Sequence, residues 1–133
     1  MIFIDSNVLI DILAPDSPWA TWAEEAIGAA DSDDLVINHI VLAEVSPRFE
    51  TVDTVLGFLR SSGISILELG DATAFHAGKA HARYRAAGGE RQAILADFLI
   101  GAHAQTLEAT LVTRDRQRFT TYFPELTLIT PET

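Results

Sequence analysis

The chain contains no cysteine. That excludes a disulfide framework, a cysteine nucleophile and a zinc site built on thiolates. A reducing compartment is compatible with this composition. Lysine is almost missing too, with Lys79 the sole example. Ser6 has no Gly-x-Ser-x-Gly surroundings, which sets aside a serine hydrolase, and no glycine-rich phosphate loop occurs. Histidine is sparse: His39, His76, His81 and His103 are scattered, and His76 and His81, five apart, do not share a helical face. A histidine-based metal site is therefore not expected. No apolar run reaches about 18 residues before a charge breaks it, so no membrane span is expected. Met1 to Leu13 is apolar but lacks a basic leader and is interrupted by Asp5 and Asp11. It reads as the first strand and helix of a cytoplasmic protein rather than a signal peptide.

What is present suits a globular domain. The 133 residues are 48% hydrophobic, and a chain of this length buries roughly two-thirds of its unfolded surface without a staple. A single domain over residues 1–133 is expected. The net charge of −10 argues by itself against a phosphate-rich partner. Its distribution argues otherwise. Residues 1–78 hold 13 acids and only Arg48 and Arg60. Residues 79–118 hold seven cations, Lys79, Arg83, Arg85, Arg91, Arg114, Arg116 and Arg118, against four acids, a net of +3. Such arginines are either a solvated helical face or contacts for a phosphate backbone.

Short apolar runs alternate with helical patterns. Strands are predicted at Ile2–Ile4, Leu35–Ile37, Ile64–Leu67, Leu111–Thr113 and Leu126–Ile129. Helices are predicted from Asn7 to Leu13 with Ser6 as cap, and from Ser17-Pro18 through Ala30 after a stop at Pro15. Others run over Ile40–Val45 and Thr51–Arg60, over Asp71–Ala87 with Asp71 as cap and Gly88-Gly89 as terminator, and over Ala93–Leu107 and Asp115–Tyr122. Asp31–Asp34 reads as a polar turn. Strands without a polar face are covered on both sides. The class is α/β with a mostly parallel sheet.

Ligands of open parallel sheets sit beyond the carboxyl ends of the strands, near a switch in strand order. Asp5 directly follows the first strand, and Asp115 follows the fourth by two residues. Glu44 and Asp97 lie in apolar helical surroundings, Ile40–Val45 and Ile94–Ile100. A carboxylate there must face water or be paired, because burying it bare costs several kcal/mol. A hard divalent cation such as magnesium supplies that pairing through oxygen ligands. Gly101, one turn beyond Asp97, leaves that face uncrowded. Each acid also has a plainer role available: helix caps for Asp5 and Asp115, a solvent-facing position for Glu44. Trp19, Trp22 and Phe75 fit core or interface positions.

These residues resemble the PIN-domain family, and within it the VapC-like toxin ribonucleases of bacterial toxin–antitoxin pairs. Ile2-Phe3-Ile4-Asp5-Ser6-Asn7-Val8-Leu9 is similar to the family's opening strand and first acid. Glu44 in Leu42-Ala43-Glu44-Val45 is similar to its second acid, and Asp97 in Ala96–Ala104 to its third. Leu111–Asp115 followed by Arg118-Phe119 and Tyr122-Phe123-Pro124 is similar to its last segment. Ser6 stands where many members carry threonine, and the hydroxyl is kept. The resemblance covers essentially the whole chain. It implies a three-layer α/β/α sandwich around a mostly parallel five-stranded sheet. It implies one or two magnesium or manganese ions held by Asp5, Glu44, Asp97 and Asp115, with Ser6, Asn7 and Thr113 as supporting polar groups. It further implies cleavage of single-stranded or looped RNA, tRNA or ribosomal RNA, in a cytoplasmic homodimer blocked by a cognate antitoxin. Lys79, Arg83, Arg85, Arg91, Arg114, Arg116 and Arg118 are then the expected RNA contacts.

Other readings fare less well. A phosphatase of the haloacid dehalogenase type needs a second aspartate where Asn7 stands, and Lys79 lies inside a predicted helix. A receiver domain needs a phosphorylatable aspartate after a middle strand, where Leu67-Glu68-Leu69 runs instead. A catalytically silent PIN fold and a housekeeping RNA-processing PIN nuclease stay open. Against the silent fold stands the cost of clustered carboxylates without a cation.

Overall fold

The structure is a computed structural model that describes residues 1–30, 34–89 and 94–131. Most of the predicted turn at Asp31–Asp34, the predicted helix start at Ala93, and Arg91 lie outside the described residues. Five strands form one sheet: β1 (Ile2–Ile4), β2 (Leu35–Ile37), β3 (Ile64–Ile66), β4 (Thr110–Val112) and β5 (Leu128–Ile129). Their order is β3-β2-β1-β4-β5, and every pairing is parallel, with Ile4 opposite Val112 and Phe3 opposite both Val36 and Leu111. The sheet is thus wholly parallel, as its near-continuous apolar strands require. Among the described residues, seven α-helices cover it: α1 (Ser6–Ile12), α2 (Ala20–Gly28), α3 (His39–Val45), α4 (Val52–Ser61), α5 (Asp71–Ala86), α6 (Leu95–Thr106) and α7 (Arg116–Tyr122). Helix α1 packs against α2 and α3, and α6 packs against α5 and α7, the two layers that right-handed crossovers of this strand order imply. This is the expected α/β/α sandwich. The strand order reverses between β1 and β4, so the crevice at their carboxyl ends is the switch point.

Two caps differ from expectation. Ser6 was the predicted cap of α1, but Asp5 takes that place. The strand ends there with Asp5 still extended (φ −71°, ψ 151°), and its side chain accepts from the Ser6 amide. Asp71 likewise lies inside the first turn of α5, because Gly70 precedes it at φ +81° as the capping residue. The far end of α5 closes as predicted. Gly88, at φ +88°, donates to the Arg85 carbonyl and Gly89 to that of Tyr84, the paired bonds of a Schellman ending.

The core is continuous. Phe3, Ile4, Leu111 and Val112 from the central strands pack with Val8, Leu9, Val41, Phe98, Ile100 and Phe119. Gly101 has a different use from the one expected. A β-carbon built on it would run into the Phe123 ring, which is buried and packed near Phe98. The missing side chain therefore seats an aromatic ring on α6. Gly101→Ala gains about 1 kcal/mol of helix propensity and forces an overpacked contact costing about 1–3 kcal/mol. We expect the clash to win and the melting temperature to fall by a few degrees. A thermal melt at or above wild type would show that the Phe123 ring yields freely.

Candidate active site

The site begins with the ends of two neighbouring strands. The Asp5 amide donates to the Val112 carbonyl at 3.0 Å, which locks the end of β1 to β4. Asp5 Oδ2 then accepts from Thr113 Oγ1 at 2.8 Å, and Oδ1 accepts from the Ser6 amide at 2.8 Å. Thr113 Oγ1 in turn accepts from the Asp115 amide at 3.0 Å, and Asp115 caps α7 by accepting from the Arg118 amide. On the other side, Ser6 Oγ donates to Glu44 Oε1 at 2.9 Å. Arg118 Nη1 reaches Asp97 Oδ2 at 3.2 Å and its Nε reaches Asp115 Oδ2 at 3.1 Å. All four predicted acids are joined through Ser6, Thr113 and Arg118 in one network. Ser6 hydrogen-bonds to both Asp5 and Glu44, and Thr113 to Asp5. Asn7 is placed more loosely, its Oδ1 3.4 Å from the Arg114 amide.

The electrostatics follow from burial. Asp5 is only 4% exposed, and its carboxyl is pushed up to about 6. Desolvation is the main cause, the charges of Asp97 and Glu44 add to it, and the bonds from Thr113 and Ser6 oppose it. Asp97 is also pushed up, mainly by burial and further by Glu44 and Asp115, against the pull of Arg118. The acids therefore sense one another across a site short of positive charge. Carboxylate oxygens in that number suit a hard divalent cation in kind and in charge. In spacing they stand apart: among the described residues, no three His, Asp or Glu side chains are gathered closely enough to clasp one ion, and Arg118 lies against two of the four.

The predicted RNA contacts divide. Lys79, Arg83 and Arg85 are exposed on α5, with Lys79 Nζ 5.4 Å from the centre of the Phe75 ring. Arg116 is exposed, and its Nε donates to Thr130 Oγ1 at 2.9 Å. Arg114 spends its charge inward: its Nε is 2.7 Å from Asp11 Oδ2 and its guanidinium lies over the Trp19 ring. The N–H is not aimed at that oxygen, so the contact is an ion pair rather than a hydrogen bond. Arg91 lies outside the described residues.

Several residues that shape the site were not singled out by sequence. Asp11, buried and held by Ser17 Oγ and Arg114, ties α1 to the loop after β4. Its signal was the i, i+4 spacing from Asn7. Asn38 caps α3, the helix of Glu44, and its amide Nδ2 lies 3.1 Å from His103 Nδ1 on α6, the helix of Asp97. An asparagine between an apolar strand and an apolar helix is a cap signature. Burial holds the His103 imidazole below its ordinary value, against a bond to the Glu68 backbone. It is a neutral brace rather than a ligand.

A profile of the family described as PIN domain matches residues 2–122. No curated protein sequence matches the chain at a significant level. Solved structures do. VapC20 of Mycobacterium tuberculosis, described as a sarcin–ricin loop cleaving toxin, shares 13% identity at a TM-score of 0.75, with 98% of this chain and all of that one aligned. A toxin–antitoxin complex from Klebsiella pneumoniae shares 21% at 0.73, over 99% of this chain and 98% of the other. VapBC2 from Rickettsia felis, bound to a DNA fragment from its promoter, shares 22% at 0.71, over 99% and 100%. At these identities the likeness is one of fold.

Proposed function

The chain belongs to the PIN-domain family, and on that premise we propose that it is a metal-dependent endoribonuclease, residues 1–133 acting as one domain, and the toxin of a toxin–antitoxin pair. The observation that carries the reading is the meeting of four carboxylates at the switch point of the sheet. They come from the end of β1, from α3, from α6 and from the start of α7, and one network joins them.

Asp5, Glu44, Asp97 and Asp115 are the residues that would hold one or two Mg²⁺ or Mn²⁺ ions, and such ions lower the pKa of bound water and neutralise phosphate oxygens. The chain's own groups set the stage. Thr113 and the Ser6 amide fix both oxygens of Asp5, and Ser6 Oγ fixes Glu44. With a cation bound, the charge that now burdens Asp5 and Asp97 becomes a favourable term. Lys79 and Arg83, four apart on one exposed face of α5, and nearby Arg85 supply sequence-independent attraction for an RNA backbone. Arg116 joins them from α7. Arg114 is better assigned to its ion pair with Asp11.

The substrate class is single-stranded or looped RNA, in tRNA or ribosomal RNA. Homodimerisation in the cytoplasm and silencing by a cognate antitoxin belong to the same proposal. The antitoxin part is supported by the toxin–antitoxin complexes among the resembled structures. No described helix is long and apolar enough to cross a membrane.

The test is cleavage of labelled single-stranded RNA and total tRNA by the purified chain, with Mg²⁺, with Mn²⁺ and with EDTA. Cutting that needs the metal and falls at least about a hundredfold in Asp97→Asn is the expected result, since such charge stabilisation is typically worth that much. A folded, partner-free chain that cuts no RNA and binds no metal by calorimetry would instead be a silent PIN-fold binding module. Cutting confined to a precursor RNA would favour the housekeeping nuclease.

A further inference from the structure

Arg118, expected from the sequence as an RNA contact, instead lies against two of the four acids. Its guanidinium is ion-paired with Asp97 Oδ2 and Asp115 Oδ2 at 3.2 and 3.1 Å. Among the described residues, no other lysine or arginine is ion-paired with Asp5, Glu44, Asp97 or Asp115. The adjoining Phe119 is fully buried, so the backbone of Arg118 is anchored while its side chain stays 43% exposed. Beside it opens a cavity of about 240 Å³, lined by Asp115, Arg118, Tyr84, Gln117, Thr121 and Tyr122.

We propose that Arg118 is a built-in counter-ion of the acid site, and that a divalent cation displaces its guanidinium into the neighbouring cavity, where it receives an RNA phosphate. The identity of the incoming cation rests on the metal-dependent reading above. The argument is one of shared oxygens. The lone pairs of Asp97 Oδ2 and Asp115 Oδ2 that face the guanidinium cannot face a metal at the same time. Among the described residues no three acid side chains lie close enough to clasp one ion, and Arg118 lies against two of the four acids. Exchange is feasible because Arg118 is 43% exposed and its pair with Asp115 lies near the surface, where such pairs contribute about 1 kcal/mol or less. The released group has open space on one side and an anchored backbone on the other. A guanidinium held at the mouth of the site presents two parallel donors, the geometry that matches a phosphate. The same side chain thus screens the acids before loading and positions the substrate after it.

Titration calorimetry of Mn²⁺ into the full chain tests this, comparing wild type with Arg118→Gln. The glutamine variant is expected to bind Mn²⁺ about fivefold more tightly, the equivalent of about 1 kcal/mol. It should bind a non-cleavable RNA oligonucleotide more weakly once loaded. In wild type, the Arg118 Nε–H resonance should shift on adding Mg²⁺, a readout that needs no variant to fold. An unchanged or weaker Mn²⁺ affinity in folded Arg118→Gln, or an unmoved resonance at saturating Mg²⁺, overturns the counter-ion role and leaves the nuclease reading standing. No Mn²⁺ binding by either protein overturns both.

Discussion

In the presence of chelator at pH 7, Asp5→Asn is expected to melt about 5 °C above wild type while cutting no RNA. Asp5 is 4% exposed and its carboxyl titrates at about 6 rather than 3.8, chiefly because burial penalises the charged form. Holding the group there costs on the order of 3 kcal/mol when it is ionised. The sign follows from linkage. Between pH 3.8 and 6 the folded chain keeps a proton on Asp5 that the unfolded chain has lost. Stability from this group therefore falls as pH rises through that window and stays low above it. Asparagine removes the charge and keeps the shape. It weakens the bonds from the Ser6 amide and Thr113 Oγ1, which takes back part of the gain and leaves about 1–2 kcal/mol. His103 acts in the opposite direction. Its imidazole is held below its ordinary value by burial, so its contribution is lost as pH falls below about 6.5. Asp5 and Asp97 both make wild-type stability fall as pH rises through the acid range, and His103 makes it rise toward pH 6.5, so Asp5→Asn should lose the Asp5 part of the fall. Saturating Mn²⁺ should reverse the ranking, because a ligand stabilises the state that binds it. Melts from pH 4 to 8 check this. A lower neutral-pH melting temperature for Asp5→Asn would mean that the two hydrogen bonds outweigh the buried charge.

How much of this was legible beforehand depends on sequence distance. The five strands follow from short apolar runs, and the carboxyl-end rule then placed Asp5 and Asp115 correctly at β1 and β4. Glu44 and Asp97 stand out in the sequence only as acids in apolar helical surroundings, and it takes the folded positions of α3 and α6 to bring them to the same end. What stayed hidden is partner choice. Arg114 could as well have met RNA as Asp11, 103 positions away, because nothing local distinguishes an arginine paired to a buried acid from a solvated one. Arg118 and Asp97 are 21 apart and on different helices. The caps show a nearer ambiguity: Asp5 and Ser6 are adjacent short polar residues, and only where the strand releases the chain decides which one caps. Gly101 was misread because an absent side chain says nothing about which ring fills its place.

Asn38→Ala is expected to cost about 3 kcal/mol, lowering the melting temperature by roughly 10 °C. Asn38 is fully buried at the turn from β2 into α3. Its Oδ1 accepts from the amides of Ile40 at 3.0 Å and Val41 at 3.1 Å, and removing such a cap costs about 1 kcal/mol. Its Nδ2 faces His103 Nδ1 at 3.1 Å. With the imidazole neutral and bonded to the Glu68 backbone through its other nitrogen, Nδ1 is the acceptor. Alanine leaves that acceptor bare as well, at about 1–3 kcal/mol for a buried polar atom. The loss should reach function, because α3 carries Glu44 and Asn38 couples it to the helix of Asp97. Mn²⁺ affinity should fall in Asn38→Ala, opposite to the rise expected in Arg118→Gln. Asn38→Asp separates the two parts of the effect. An aspartate keeps the cap but needs a protonated His103 beside it, which raises the folded pKa of that imidazole above its unfolded value. Its stability should match wild type below about pH 6 and be lost as pH rises through the new value. A flat profile for Asn38→Asp would show that the cap alone, without the His103 brace, accounts for the whole contribution of Asn38.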